Sequence, residues 1–217
     1  MSERDSRHRA FLLLGPTGAG KTPLGDLLAR RGFAGRRCFH FDFGAQLRAV
    51  GASGAPPAGF PAADVAVVRR ALAEGRLLEN DTFHVAERIL RAFIAACGAR
   101  AEDAIVMNGL PRHAGQAAGV DRLLRVETVV LLDCGPDVAA ARIALDSGGD
   151  RGGRTDDSPA GIGRRIALFQ ARTLPLLDHY RAKGVRIIPI SVTVPMKAED
   201  MLAVLETAGG RQSCPCA

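Results

Sequence analysis

Two kinds of apolar segment alternate in this sequence. Short runs such as Phe11-Leu12-Leu13-Leu14 and Thr128-Val129-Val130-Leu131-Leu132 contain no charged position. Runs of that length without in–out alternation suit strands buried on both faces. Strands are expected at about 10–14, 37–41, 104–108, 128–133 and 185–190. Between them, apolar residues recur every three or four positions, which puts them on one face of a helix. That spacing predicts helices at about 20–31, 62–74, 81–97, 113–125, 136–146, 159–183 and 196–207. A further helix, carrying Arg48, is expected after the second strand. Such alternation implies an α/β fold with a five-stranded parallel sheet between two helical layers, and ligands at the carboxyl ends of the strands.

Two stretches interrupt the alternation. Residues 51–59, Gly-Ala-Ser-Gly-Ala-Pro-Pro-Ala-Gly, read as a flexible loop. Residues 147–157 are rich in glycine and charge, and read either as a flap that closes over phosphates or as a plain surface loop.

Between the first strand and the first helix lies Gly15-Pro16-Thr17-Gly18-Ala19-Gly20-Lys21-Thr22. It reads G-x-x-x-x-G-K-T, the phosphate-binding loop pattern. Glycines let such a loop wrap an anion closely, and its backbone N–H groups and the positive end of the helix face the phosphates. Pro23 falls in the first helical turn, where no N–H is needed. Lys21 would reach the β and γ phosphates, and the Thr22 hydroxyl would ligate Mg²⁺. The expected fold is thus a three-layer P-loop NTPase domain over 1–217.

Composition narrows the partners. Hydrophobic residues make up 47% of 217, ample for a core, and no apolar run approaches a membrane span. The first nine residues are polar and no signal-peptide h-region follows, so a soluble cytoplasmic protein without a membrane partner is expected. The net charge is +6, and only Lys21, Lys183 and Lys197 are lysines. Arginine's planar fork suits phosphate oxygens, but most of this excess is compositional bias. With aromatics at 5% and no recognition motif, no nucleic-acid partner is expected. The five cysteines are scattered without a C-x-x-C pair, which argues against a zinc ribbon, and 209–217, with Cys214 and Cys216, reads as a flexible tail.

Further motifs follow in order. Asn108-Gly109-Leu110-Pro111-Arg112 directly follows the third strand, with Gln116 four residues later. Asp133-Cys134-Gly135-Pro136-Asp137 precedes Arg142. Gly153-Arg154-Thr155-Asp156-Asp157 is followed by Arg165, then by Pro175, Tyr180 and Gly184. From about Phe11 to about Ile190 the chain resembles an adenylate kinase, or more broadly a nucleoside monophosphate kinase, of the short-lid type. The N-G-L-P-R stretch resembles that family's D-G-[FY]-P-R, and Gly153–Asp157 matches its lid signature G-R-x-D-D.

The resemblance implies ATP and a nucleoside monophosphate as substrates, Mg²⁺ as cofactor, and a monomer. Gly15, Gly18, Ala19, Gly20, Lys21, Thr22, Arg142 and Arg151 would bind ATP. Asp42, Phe43, Leu78 and Gly109 would line the acceptor site, and Arg48 and Arg112 would hold the acceptor phosphate. Gln116 would help recognise the acceptor base. Lys21, Arg112, Arg142, Arg154 and Arg165 would neutralise charge during transfer, and Asp156 and Asp157 would hold the closed lid. It also implies an acceptor segment at 42–76 and a short lid at 146–158.

Departures from the family's pattern bear on the chemistry. Asn108 replaces an aspartate that organises the Mg²⁺ shell through water; its amide can accept a bond from metal-bound water but supplies no charge. Thr22 stands where relatives carry glycine or serine and could ligate the metal directly. Phe43 replaces the threonine of T-G-x-x-[LI]-R, which removes a base contact. Asp42 either takes over that contact or caps the following helix, with the cap favoured. Asp146 stands where short-lid relatives have another arginine, for which Arg151 can compensate. His40, His84 and His113 read as structural; Phe39, Phe41 and Phe43 read as core or pocket wall. Two other functions fit the same architecture: a small-molecule kinase with a non-nucleotide acceptor, and a nucleotide-binding regulatory protein with weak catalysis.

Overall fold

The computed structural model describes residues 7–149 and 158–209. Five parallel strands, β1 (His8–Leu14), β2 (Cys38–Asp42), β3 (Ala104–Asn108), β4 (Leu124–Asp133) and β5 (Arg186–Ser191), form one sheet in the order β2-β3-β1-β4-β5. Successive side chains on a strand point to opposite faces. Ala10, Leu12 and Leu14 of β1 therefore enter one core, while Phe11 and Leu13 enter the other. That double burial is why the run Phe11–Leu14 shows no alternation.

The first core is covered by α2 (Phe43–Ala52), α3 (Ala62–Glu74), α4 (Phe83–Cys97), α5 (Ala114–Leu123) and α8 (Leu176–Ala182). The second is covered by α1 (Lys21–Arg31), α6 (Pro136–Ala144) and α9 (Ala198–Gly209). From β1 the chain runs outward to β2, and from β3 it crosses back to β4. Connections that leave neighbouring strands in opposite directions open a crevice at their carboxyl ends. The phosphate-loop sequence follows β1 and Asn108 ends β3, so both lie at this crevice.

The elements differ from expectation in three places. The helix after β2 spans Phe43–Ala52, so Gly51 and Ala52 belong to it rather than to the loop. Gly51 lies where a Cβ would come within 2.8 Å of Leu72 Cδ1, which lets α2 pack tightly on α3. β4 begins at Leu124, inside the stretch expected to be helix. Leu124 and Val126 are buried there, while the intervening Arg125 and Glu127 form an ion pair at 2.7 Å. The helix expected over 159–183 is interrupted: α7 (Pro159–Leu168) gives way to a π turn, Phe169–Thr173, before α8. Pro175 forces the break, because it lacks an N–H and its ring crowds the carbonyl four residues back. The Leu174 N–H instead reaches the Phe169 carbonyl at 2.8 Å. Among the described residues no helix is long and apolar enough to cross a membrane.

Candidate active site

The loop after β1 ends in Gly20, whose φ of 95° favours glycine and which serves as the N-cap of α1 without a side-chain cap bond. The first-turn N–H groups of α1 are thus left to face an anion. Lys21 Nζ donates to the carbonyls of Gly15 at 2.7 Å and Pro16 at 2.6 Å, so the ammonium lies across the loop it follows.

Beside it, three polar side chains from three elements converge. The Thr22 hydroxyl donates to Asp42 Oδ2 at 2.8 Å. Asn108 Nδ2 donates to the same Asp42 oxygen at 3.0 Å and to Thr22 Oγ1 at 3.1 Å. Asp42 and Asn108 are register partners at the ends of β2 and β3, which brings together residues 66 apart in sequence. Asp42 Oδ1 also accepts the Ala45 N–H at 2.9 Å, so the residue caps α2 as well. Burial would raise the Asp42 pKa; the bonds from Ala45 and Thr22, with His40 and Arg48 nearby, outweigh it and hold the carboxyl below its usual value. His40 supports the cluster from below, its Nδ1 2.7 Å from Asp26 Oδ1. It packs against α1 only because residue 25 is glycine: a Cβ there would come within 2.3 Å of His40 Nε2.

On the acceptor side, β3 leads through Gly109 into a cis Leu110–Pro111 bond and then Arg112. The Arg112 backbone is held at both ends, its N–H by Gln116 Oε1 at 2.7 Å and its carbonyl by the Thr173 hydroxyl at 2.9 Å. Its Nε donates to the Gly109 carbonyl at 3.1 Å. Burial lowers the Arg112 pKa, Asp42 opposes this, and the neighbouring Arg165 cation adds to the lowering. Two like charges lining one recess would be stabilised by an anion between them. Gln116 is only 1% exposed, and its Nε2 donates to the Leu78 carbonyl at 2.7 Å, so both ends of its amide are engaged by backbone. His113 is structural, as expected: its Nε2 lies 3.2 Å from the Leu78 carbonyl, and it caps α5.

One cavity of about 290 Å³ unites these groups. Its walls include Gly15, Gly18, Gly20, Lys21, Thr22, Asp42, Phe43, Arg48, Leu78, Asn108, Gly109, Arg112, Gln116 and Arg165. Arg142 lies against the phosphate loop. It is 2% exposed, and its guanidinium donates to the carbonyls of Gly18 (3.0 Å), Thr193 (2.8 Å), Val194 (3.0 Å) and Met196 (2.6 Å). It ties the phosphate loop to the segment after β5. Ala19 is wholly buried beneath the loop. Arg151, Arg154, Asp156 and Asp157 lie outside the described residues. The cavity also takes in residues outside the sequence motifs: Leu72, Arg76, Phe169 and Thr173. The last two come from the π turn, whose only sequence signal is Pro175.

A parallel α/β sheet with a G-x-x-x-x-G-K-T loop leaving its central strand defines a P-loop NTPase fold. The chain is 32% identical over 179 residues to the adenylate kinase of Synechococcus sp. (strain CC9311), covering 80% of this chain and 85% of that one. It belongs to the adenylate kinase family. It is 30% identical over 204 residues to the adenylate kinase of Synechococcus sp. (strain WH7803), covering 91% of this chain and 97% of the relative. The adenylate kinase of Nitrobacter hamburgensis is 29% identical over 215 residues, covering 92% and 93%. No protein-family model matches the chain.

Proposed function

We propose that this protein is a nucleoside monophosphate kinase that transfers the γ-phosphoryl group of ATP to a monophosphate acceptor, with AMP favoured. The observation that carries this reading is the placement of Arg112 and Arg165 in the same cavity as the phosphate loop. Phosphoryl transfer is mainly positioning and charge stabilisation, so a site needs cations at both phosphate ends. The loop amides and Lys21 hold the triphosphate. Arg48 and Arg112 hold the acceptor phosphate, and Arg165 neutralises charge between the two. The segment 42–76 forms the acceptor side. Arg142 acts through the loop that it braces. Thr22 and the oxygens around it suit a hard cation such as Mg²⁺, which would offset the charge of the phosphates.

Phe43 supports a second reading, since it offers no polar atom to a base. Gln116, with each end of its amide already bonded to backbone, keeps one N–H and one oxygen lone pair for an acceptor. A phosphorylated or hydroxyl-bearing small molecule without a base would be served by the same arginines.

Arg112→Ala tests the assignment. Turnover should fall by about 10³-fold or more, as for loss of a charge-stabilising group, while ATP binding measured by calorimetry changes little. Unaffected turnover would remove Arg112 from the acceptor site.

A further inference from the structure

Asn108 leaves the end of β3 without a charge, yet a carboxylate stands 3.0 Å from its amide nitrogen, on the neighbouring strand. We infer that Asp42 supplies the anionic ligand of the divalent-metal site, together with Thr22, and that Asn108 holds that carboxylate in place. This rests on the phosphoryl-transfer reading of the cavity.

Counting donors and lone pairs supports it. A threonine hydroxyl has one proton and two acceptor lone pairs. The Thr22 proton is given to Asp42 Oδ2, and one lone pair receives Asn108 Nδ2. One lone pair remains, on the first turn of the helix that begins the phosphate site. A carboxylate has about four acceptor positions. Asp42 Oδ1 takes the Ala45 N–H, and Oδ2 takes the bonds from Thr22 and Asn108. One position is left for a cation, on Oδ1. Both ligand atoms are hard oxygens in the cavity wall that carries Gly15, Gly18 and Lys21. Mg²⁺ is ordinarily held by one or two carboxylates plus substrate phosphates and water, not by a full protein cage. No group of three His, Cys, Asp or Glu among the described residues offers such a cage. Asn108 donates to the Asp42 oxygen through its amide nitrogen, so it orients the carboxylate without neutralising it. The anionic position has thus moved across the β2–β3 pair, between residues in register.

The test is metal affinity rather than turnover. Mn²⁺ binding is measured by electron paramagnetic resonance on the full chain saturated with a non-hydrolysable ATP analogue. The analogue's own affinity is measured in EDTA. Asp42→Asn keeps an α2 cap, since asparagine caps as well as aspartate, and Asp42→Ser is a second capping variant without charge. Both should weaken Mn²⁺ binding about tenfold or more, while analogue affinity in EDTA stays within about threefold of the parent. Mn²⁺ affinity unchanged in either folded variant would overturn the inference and leave the kinase reading standing. A parent protein that fails to bind the analogue at all would instead sink the kinase reading. Equal loss of analogue affinity in EDTA would also overturn the inference, because Asp42 would then act on the nucleotide without metal.

Discussion

Arg112 and Arg142 are the same residue type in similar-looking positions, but their surroundings separate them. Arg142 has its guanidinium paired with four backbone carbonyls and is sealed from solvent. Truncating it strands those carbonyls in the interior. Arg142→Ala should destabilise the fold by roughly 3 kcal/mol or more, lowering the melting temperature by about 6–12 °C for a domain of this size. A melting temperature within about 2 °C of the parent would show that these bonds do not brace the loop. Arg112 faces the cavity, beside another cation, and holds a lowered pKa. Its charge is kept at some expense to stability, as is common at functional sites. Spacing after the fourth strand could not distinguish these roles, because it does not reveal that the segment after β5 folds over Arg142. The Asp42–Asn108 contact was hidden for the same reason: it exists only because β2 lies next to β3.

Among the elements, the buried strands and amphipathic helices were legible because period and burial agree. β1, β3 and β5 lie within two residues of their expected bounds. Failures occur where a local rule yields to packing. The spacing of Val120, Leu123 and Leu124 fits a helix, yet Leu124 starts a strand because β1 offers it a partner at His8. The π turn is set by Pro175 and by the bond from Thr173 to Arg112, and only the proline can be read in advance. That turn is fastened to the acceptor side by Arg172, which donates to Glu79 at 2.8 Å. The Arg172 bond is the first cause of the lowered Glu79 pKa; slight burial opposes it. A carboxyl with a lowered folded pKa contributes stability above its unfolded pKa of about 4.3 and loses it as pH falls through the folded value. The melting-temperature gap between the parent and Glu79→Gln should therefore be present at pH 7 and close below about pH 4. A gap of constant size across that range would contradict a charged clamp. Because Glu79 is half exposed, the gap itself will be small.

Taken together, a phosphate loop, a carboxylate and four arginines line one crevice at the carboxyl ends of the strands. The fold class and most of the cavity wall could be read from motif order, since the loop, Arg48, Arg112 and Arg165 each sit just beyond a strand or on a helix facing it. The acceptor's identity could not, because it depends on Phe43, Gln116 and their packing. The most direct test supplies purified full-chain protein with Mg²⁺, ATP and each common nucleoside monophosphate in turn, and detects diphosphate products by chromatography. AMP should give ADP from both substrates in equal amounts, at a rate above that with any other monophosphate. No nucleoside diphosphate from any member of the panel would contradict the kinase assignment.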